Sequence, residues 1–354
     1  MRIALDATYS LDRNLSGVGV YSREILTRLP EAHRGPSYVF CYRPHRFARS
    51  FHIPLPKDVR RALLWKWWPH NIGVFHGLNQ RVDPERRGRV VSTFHDLFVI
   101  TSDYSSAEFR QRFARQAREA AERSDLIIAV SAFTASQVEE LLGVERSRIR
   151  VVHHGVSRLP TLQHGLNSQA HNDSSPHAVS RMILFVGAIQ KRKNISRLVE
   201  AFSHTPPGWK LTLAGSAGFG AEKILEDIER SPRRADIELP GYVSDGELVA
   251  LYRRAAVFAF PSLDEGFGMP VLEAMAHGVP VLTSNASALA EIAGDAAFLV
   301  DPYRVNAIAE GLNELLSNQT LREALVERGF DRAASFTWEA AVAKTWMVYR
   351  ELLG

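Results

Sequence analysis

The 354-residue sequence predicts an α/β protein made of two doubly wound domains. Short apolar runs alternate with helical patterns, and this alternation occurs twice along the chain. Continuous apolar strands separated by helices indicate parallel sheets that are covered on both faces. The chain is also too long for one ordinary hydrophobic core. Two such series therefore predict two domains, each with its own parallel sheet.

Eleven apolar runs are the main predicted strands, and a further strand is expected to end at His76. In the first half they are IALDA (3–7), YVFCY (38–42), VVSTF (90–94), LIIAV (126–130) and IRVVH (149–153). In the second half they are MILFVG (182–187), WKLTLAG (209–215), IELPG (237–241), VFAFPS (257–262), VPVLTS (279–284) and AAFLV (296–300). Helical patterns, such as those at 20–29 and 105–124, separate them.

The domain boundaries follow from composition. Residues 157–180 are rich in Ser, His, Asn and Pro and lack a sustained period, which predicts a linker. The N-terminal domain is then 1–156 and the C-terminal domain 181–335. The last segment, 336–354, has a candidate cap at Thr337 and a broad apolar face. We expect this helix to pack back on the N-terminal domain.

The bulk composition excludes several classes of protein. Cys41 is the only cysteine, so an intramolecular disulfide and a cysteine metal cluster are excluded, and a reducing compartment fits. The start, MRIALDATYS, is typical of a first β-strand and not of a signal peptide. No stretch approaches the roughly 18 apolar residues of a membrane span. We expect a soluble, cytoplasmic protein that can also lie at the inner membrane face.

The charge is divided unevenly along the chain. Residues 1–160 carry a net charge of +9 and the remainder −5, within a total of +4. The basic half is expected to meet an anionic partner. In 43–70 and 108–123, basic residues alternate with aromatic ones or line a helix, which favours an anionic membrane surface. The alternative is a solvated basic face with buried tryptophans. Nucleic acid fits poorly because no recognition module accompanies the charge.

The loop after the strand VFAFPS carries the strongest candidate site. Ligands of open parallel sheets bind beyond the carboxyl ends of the strands. Glu265 lies at the loop tip, and Glu273 is expected on the first turn of the next helix. Between them stand Gly266, Phe267, Gly268 and Met269. The glycines let backbone N–H groups approach a phosphate, while the two acids can bind sugar and ribose hydroxyls. The alternative is a solvated glutamate in the loop and a second glutamate that is favoured only by the helix dipole.

Several motifs together carry a family resemblance. EGFGMPVLE contains an E-x7-E pair and is followed by AMAHGVPVL, SALAEI (287–292) and LVDP (299–302). This resembles the family 4 retaining glycosyltransferases, which have the GT-B architecture of two Rossmann-like domains that face a central cleft. Within the family, the chain resembles bacterial polysaccharide and lipopolysaccharide mannosyltransferases.

The resemblance implies a reaction. It implies transfer of a hexose, with mannose as the first choice, from a GDP- or UDP-linked donor to a glycan or lipid-linked acceptor in cell-surface polysaccharide synthesis. No cofactor is implied beyond the nucleotide sugar, which is a substrate. The N-terminal domain would hold the acceptor and the C-terminal domain the donor.

The resemblance also assigns donor-binding residues in the second half. Gly187 opens the loop GAIQKRKN, in which Arg192 and Lys193 would hold the donor diphosphate. Fixed cations there would stabilise the charge that grows on the leaving group. The family often has Arg after this glycine, but this chain has Ala188, so which cation meets which phosphate stays open. Tyr242 and Val243 would cradle the nucleobase, mainly through the backbone.

In the first half, SGVGVY (16–21) is expected between the first strand and the first helix. The resemblance puts the N–H groups of Gly17 and Gly19 opposite the donor diphosphate across the cleft. A dinucleotide-binding role is disfavoured because Ser22 occupies the place of the third glycine. In addition, Arg43 and Arg46, and no acid, follow the second strand.

Three histidines and a serine also stand near predicted strand ends. His95, in TFHDL, resembles the family histidine beside the transferred sugar, where it would position or stabilise but not attack. His76, in VFHGLN, is expected to support the acceptor pocket or the fold. His154 stands where many relatives have Asn, and no function is assigned to it. Ser131 is expected to cap the helix after it.

A resident metal is not predicted, since the sequence has no Asp-x-Asp triplet and no His/Glu cluster with metal spacing. Cationic side chains and helix ends would then replace Mg²⁺. Two rival functions are a GT-B nucleotide-sugar epimerase and a non-catalytic nucleotide-sugar-binding subunit. The first predicts extra acids at the cleft. The second would lack Glu265, Lys193 or His95, and all three are present.

Overall fold

The chain forms two compact units. The computed structural model describes residues 1–12, 15–65, 70–82, 88–156 and 181–354. One unit comprises Met1–Gly155 with Phe336–Gly354, and the other comprises Val156–Ser335. The predicted linker, 157–180, lies outside the described residues. Each unit contains one parallel sheet, which the continuous apolar strands of the sequence require.

The first unit has a seven-stranded sheet in the order β3-β2-β1-β4-β5-β6-β7. Its strands are β1 (Arg2–Asp6), β2 (Ser37–Tyr42), β3 (Val59–Leu63), β4 (Val74–Gly77), β5 (Arg89–Phe94), β6 (Leu126–Ala129) and β7 (Ile149–Val151). Its helices are α1 (Gly17–Ala32), α2 (Pro44–Phe47), α3 (Phe98–Thr101), α4 (Ala107–Arg123), α5 (Ala132–Leu142) and the terminal α13 (Trp338–Leu353). The strand order reverses at β1 and β4, where β1 pairs with both β2 and β4.

The second unit has a six-stranded sheet in the order β10-β9-β8-β11-β12-β13. Its strands are β8 (Met182–Val186), β9 (Lys210–Ala214), β10 (Ile237–Gly241), β11 (Val257–Phe260), β12 (Val281–Ser284) and β13 (Phe298–Val300). Its helices are α6 (Ile195–Ser203), α7 (Ala221–Glu229), α8 (Asp245–Arg254), α9 (Met269–Ala276), α10 (Ser287–Ala293), α11 (Val305–Ser317) and α12 (Gln319–Ala334). The order reverses at β8 and β11, and ligands of such sheets bind at that point.

The structure differs from the sequence prediction at two elements of the first unit. Strand β3 was not predicted, because Arg60 and Arg61 interrupt its apolar run. It is an edge strand, and charged side chains on an edge strand discourage pairing with other chains. Helix α1 begins at Gly17 with Ser16 as its cap, so Gly17 and Gly19 lie in the first helical turn. Their predicted place before the helix was wrong.

The terminal helix is part of the first unit. Thr337 caps α13 as predicted, since its side chain accepts a hydrogen bond from the Ala340 N–H at 3.1 Å. Trp338 and Tyr349 of α13 are buried in the same core as Ile3 of β1 and Tyr21 of α1. The face of α13 that is buried is the apolar face that the sequence shows at helical spacing. Among the described residues, no helix combines the length and the apolar character needed to cross a membrane.

Candidate functional site

Three loops of the second unit are tied together at the carboxyl ends of β8, β11 and β13. After β8, a short 3₁₀ turn spans Lys191–Lys193. It is followed by Asn194, which has a left-handed backbone with φ 60° and occupies the N-cap position of α6. The Asn194 amide donates hydrogen bonds to the carbonyls of Pro261 at 2.9 Å and Pro302 at 2.7 Å. Asn194 thereby holds the basic turn beside the loop that follows β11.

Glu265 lies between two cations. Its Oε1 is 2.6 Å from Lys193 Nζ, and its Oε2 is 2.6 Å from Arg192 Nη1. All three residues are buried, each with less than a tenth of its surface exposed. Lys193 Nζ also lies 4.6 Å from the centre of the Phe260 ring, at the end of β11. The structure therefore brings together the acid of one loop and the two cations of another, which the sequence singled out separately.

The two cations control the ionisation of Glu265. Burial alone would raise the pKa of this carboxyl, but the charges of Arg192 and Lys193 hold the pKa at about 2. Glu265 is consequently an anion at neutral pH, and it balances part of the cationic charge. The cluster as a whole keeps one excess positive charge, which suits it to bind an anion such as a phosphate.

The backbone around Glu265 is held in one conformation. The Glu265 N–H donates to Ser287 Oγ at 3.2 Å, and the Ala288 N–H donates to the Glu265 carbonyl at 3.2 Å. Gly268 has φ +103°, and a Cβ there would lie 2.6 Å from Leu289 Cδ2. Only glycine tolerates both conditions. Gly266 and Phe267 are buried in the same loop, and Met269 is the first residue of α9.

Glu273 lies one turn further along the helix than predicted. The first turn of α9 contains no acid, so its expected place there was wrong. Glu273 is partly buried, and its Oε2 accepts a hydrogen bond from the Tyr252 hydroxyl at 3.1 Å. Burial raises the pKa of Glu273, and the Tyr252 hydrogen bond opposes that rise. Tyr252 stacks on His277 with ring centres 5.1 Å apart, which fixes the hydroxyl beside the carboxylate.

The remaining donor-binding candidates of the second unit lie at other strand ends. Gly187 follows β8, and a Cβ at this glycine would lie 3.5 Å from Lys193 Cε, so the glycine leaves space beside the lysine stem. Tyr242 and Val243 follow β10, which is separated from β8 by β9. The Tyr242 side chain is 55% exposed, as an edge position allows. The structure therefore groups Gly187 with the basic turn and leaves Tyr242 and Val243 at the sheet edge.

His95 of the first unit has both ring nitrogens engaged by the protein. Its Nε2 lies 2.9 Å from the Leu78 carbonyl, which can only accept, so this nitrogen carries the proton. Burial lowers the pKa of His95 to about 4, so the ring is neutral at neutral pH. The unprotonated Nδ1 then accepts from His154 Nε2 at 3.3 Å. His154, to which the sequence assigned no role, holds the His95 ring.

His76 supports the fold, which is one of the two roles expected for it. Its ring is fully buried between Thr93 Oγ1 at 2.8 Å and the Tyr349 hydroxyl at 2.5 Å. Thr93 in turn is 2.9 Å from the Tyr21 hydroxyl. The chain of contacts joins α1 and α13 to strands β4 and β5. Burial lowers the pKa of His76 to about 3, so it is a neutral structural histidine.

Close packing in the first turn of α1 explains why Gly19 is a glycine. A Cβ at Gly19 would lie 2.8 Å from Leu15 Cδ2 and 3.1 Å from the Tyr9 carbonyl. The Gly19 N–H donates to Ser16 Oγ at 3.4 Å, as part of the helix cap. Gly17, by contrast, is exposed. Ser131 caps α5 as predicted and accepts from the Thr134 N–H at 2.9 Å.

Four residues of the second-unit site were not assigned a role from the sequence: Asn194, Tyr252, Asp264 and Ser287. Asn in a left-handed position at the end of a turn is the one local signal that could have marked Asn194. Tyr252 and Ser287 act through contacts with residues distant in sequence, whereas Asp264 is the neighbour of Glu265. Within the described part of the chain, no group of three His, Cys, Asp or Glu side chains is placed to hold a metal ion.

Comparisons with known proteins agree with this architecture. Residues 15–158 match the sequence family "Glycosyltransferase Family 4", and residues 169–332 match "Glycosyl transferases group 1". The chain is 29% identical to the O-antigen chain mannosyltransferase B of Escherichia coli, over 98% of this chain and 99% of that protein.

Two solved structures show the same fold across the whole chain. The sucrose-phosphate synthase of Thermosynechococcus elongatus has a TM-score of 0.77 at 20% identity and covers 99% of both chains. Anabaena Alr3699/HepE, in complex with UDP and glucose, has a TM-score of 0.74 at 16% identity and covers 99% of this chain and 100% of that one. With its two parallel sheets and its two family matches, this chain is a member of the family 4 glycosyltransferases with the GT-B fold.

Proposed function

We propose that this glycosyltransferase moves a mannosyl group from a nucleotide-diphosphate sugar to a glycan or lipid-linked acceptor in cell-surface polysaccharide synthesis. The observation that carries the proposal is the buried cluster of Arg192, Lys193 and Glu265 at the strand-order reversal of the second sheet. The similarity to the O-antigen chain mannosyltransferase of E. coli supports mannose as the sugar. GDP is the first nucleotide to test, and the UDP complex of HepE makes UDP the second.

The cluster suits the departure of a diphosphate. When the bond between the anomeric carbon and the phosphate oxygen breaks, the bonding electrons leave with the diphosphate, whose negative charge grows. Arg192 and Lys193 are fixed by burial and would stabilise that charge more in the transition state than in the ground state. In this scheme the two cations neutralise the negative charge of the leaving diphosphate, which a divalent metal neutralises in other transferases.

We infer that the reaction retains the anomeric configuration. The acceptor hydroxyl would attack the anomeric carbon on the face from which the diphosphate departs, and a departing phosphate oxygen would take the acceptor proton. Glu265 is a weak base because its pKa is about 2, which is consistent with a role in binding sugar hydroxyls instead of attacking carbon or removing a proton. Proton NMR of the glycoside formed in EDTA-containing buffer tests both retention and metal independence.

Thermal unfolding with nucleotides tests the donor. A ligand that binds only the folded state stabilises it by RT ln(1 + [L]/Kd), about 2.7 kcal/mol at 100 times Kd. We expect GDP and GDP-mannose to raise the unfolding temperature by several degrees, and ADP to have no effect. Glu273→Ala should abolish the rise, because Glu273 is expected to bind the ribose hydroxyls.

Glu310→Ala, at an exposed position on α11, is the matched control and should keep the full rise. If neither GDP, UDP nor their sugars shift the transition at millimolar concentration, the donor-site proposal is wrong. If the unfolding temperature of Glu273→Ala rises with nucleotide as much as that of the wild type, Glu273 does not bind the nucleotide, and the rest of the proposal is unaffected.

We further propose that the first unit binds an anionic membrane surface. On α4, the side chains of Arg112, Arg115 and Arg118 are exposed, and the buried residues of that helix are all alanines. In the other basic segment, Phe51 is 63% exposed and Trp65 52% exposed. Residues 66–69 of that segment lie outside the described residues. Exposed cations and exposed aromatic rings are both typical of proteins that lie on anionic lipids.

Vesicle co-sedimentation tests the membrane proposal. Vesicles that contain phosphatidylglycerol should carry the protein down, and vesicles of phosphatidylcholine alone should not. Reversing the charge of Arg112 and Arg115 to glutamate should weaken binding to these vesicles at least about thirtyfold, since each basic residue near the surface contributes roughly 1 kcal/mol and two are lost. Arg304→Glu, in the second unit, is the control. Equal sedimentation with both kinds of vesicle, or with neither, would refute the proposal.

A further inference from the structure

Asp264, the neighbour of Glu265, has one carboxylate oxygen, Oδ1, that the described protein leaves without a hydrogen bond. The residue is partly buried, and among the described residues its Oδ1 is buried with no hydrogen-bond partner. Arg192 Nη1 lies close by, but it donates to the backbone carbonyl of Asp264 at 2.6 Å and pairs with the carboxylate of Glu265. The Asp264 side chain is thus the one acid of this loop that the basic turn does not pair.

An unpaired carboxylate in this position is unfavourable for the empty protein. A buried acceptor without a donor loses its bonds to water and gains nothing in return. Burial and the neighbouring charge of Glu265 raise the pKa of Asp264 to about 6, and Arg192 opposes that rise. The carboxylate is nevertheless mostly ionised at neutral pH. Oδ1 itself has almost no accessible surface in the empty protein, so a hydrogen-bond donor from outside would remove this penalty once the partly exposed Asp264 side chain turns to present that oxygen.

The surroundings of Asp264 limit which chemical group can donate this hydrogen bond. The Asp264 carboxylate, unlike that of Glu265, makes no ion pair with the described residues and would repel a phosphate oxygen, so the ligand group must not be anionic and must carry a hydrogen. The loop expected to hold the nucleobase follows β10, which is separated from β11 by β9 and β8. Three strand spacings amount to about 14 Å, so a nucleobase there would not reach Asp264. A sugar hydroxyl meets both requirements.

We propose that Asp264 is a specificity-determining residue that accepts a hydrogen bond from a hydroxyl of a hexose in the transfer reaction. This rests on the proposed function, because the hexose is that of the donor or of the acceptor glycan. Glu265 and Asp264 would then accept hydrogen bonds from different hydroxyls, from adjacent positions of one rigid loop. The loop is rigid because Ser287 and Ala288 hold the Glu265 backbone.

The test uses Asp264→Asn, which keeps the shape and one acceptor oxygen, together with Asp264→Ala. Binding of GDP and of GDP-mannose to the full chain is measured by calorimetry, and the KM for a mannose-terminated acceptor is measured by initial rates. If the hydroxyl belongs to the donor sugar, both variants bind GDP within twofold of the wild type, Asp264→Ala binds GDP-mannose about tenfold more weakly, and Asp264→Asn loses less because its amide oxygen still accepts. If the hydroxyl belongs to the acceptor, both bind GDP and GDP-mannose normally, and the acceptor KM rises about tenfold in Asp264→Ala and less in Asp264→Asn.

Deoxy sugars provide a second arm. Mannoses that lack a single hydroxyl are tested in the donor and in the acceptor. For one of them, the affinity or KM of the wild type should be as poor as that of Asp264→Ala with the full sugar. The same deoxy sugar should show no further loss in the variant. That pattern identifies the hydroxyl. The proposal is overturned if GDP and GDP-mannose weaken together, or if neither donor binding nor acceptor KM changes. If the wild type binds no nucleotide sugar, the proposed function itself has failed.

Thermal unfolding shows whether the variant folds and whether Asp264 has only a structural role. The pKa of Asp264 is raised in the folded state, so its ionisation lowers stability as the pH rises from its ordinary pKa, 3.8, through about 6. Asp264→Asn should therefore unfold at a temperature a few degrees higher than the wild type at pH 8, and this gain should vanish near pH 4. A lower unfolding temperature at pH 8 would contradict the unpaired state on which the proposal rests.

Discussion

Replacing Lys193 by alanine is expected to lower kcat for sugar transfer about 10²- to 10³-fold, which is the usual effect of removing one fixed charge-stabilising group from an active site. Lys193 is buried, contacts Glu265 at 2.6 Å and lies over the Phe260 ring, so its ammonium is held in one place. A cation held in this way needs no reorganisation when charge develops on the leaving diphosphate. Initial rates of transfer at saturating donor measure the effect.

Two further variants make this test specific. Lys191→Ala removes an exposed cation from the same turn and should keep kcat within about twofold of the wild type. Lys193→Arg keeps the charge but changes the geometry, and it should recover only part of the rate. If Lys191→Ala lowers kcat as much as Lys193→Ala does, the turn acts through its net charge and the proposed role of Lys193 is wrong.

Glu265→Gln is expected to change binding and transfer in opposite directions. Glutamine keeps the shape of the side chain but removes the negative charge that now lies between Arg192 and Lys193. The two cations would then attract a diphosphate more strongly, so the Kd for GDP should fall roughly tenfold, or about 1.4 kcal/mol. Transfer should fall about 10²-fold, because the carboxylate that binds the sugar hydroxyls is lost.

The stability of the same variant provides a separate check. Removing one partner of a buried ion pair usually destabilises a protein by about 3–5 kcal/mol, since the remaining charge is left uncompensated. Glu265→Gln should therefore unfold at a lower temperature than the wild type without ligand, and inorganic pyrophosphate should restore more stability to it than to the wild type. Glu310→Gln is the exposed control. A weaker affinity for GDP in Glu265→Gln would show that Glu265 does not compete with the phosphates.

The strands could be predicted from local sequence for a physical reason. A central strand of a parallel sheet is buried on both faces, so it needs a continuous apolar run such as MILFVG, and β8 lies there. Strand β3 was missed because an edge strand does not need such a run, and VRRAL carries two arginines. The start of α1 was placed too late because glycines do not themselves favour helix, whereas Ser16 could cap the helix at Gly17.

The partners of the site residues could not be predicted in the same way. His154 had no role in the sequence, and its contact with His95 spans 59 residues. The hydrogen bond from Tyr252 to Glu273 joins two different helices. Asp264 is one residue away from Glu265, yet it lacks the ion pairs that Glu265 makes. Side-chain direction at a loop tip depends on the packing around it, which local patterns do not contain.

By itself the sequence determined the two parallel sheets, the glycine-containing loop after β11, the basic turn after β8 and the acids and cations that stand there. These follow from burial and from chain conformation, which act over a few neighbouring residues. Only the tertiary structure decided that Lys193 and Glu265, 72 residues apart, form one buried cluster with Arg192 and that Asp264 is left outside it. The physical reason is that β8 and β11 are hydrogen-bonded neighbours in the sheet, so the loops at their carboxyl ends lie side by side.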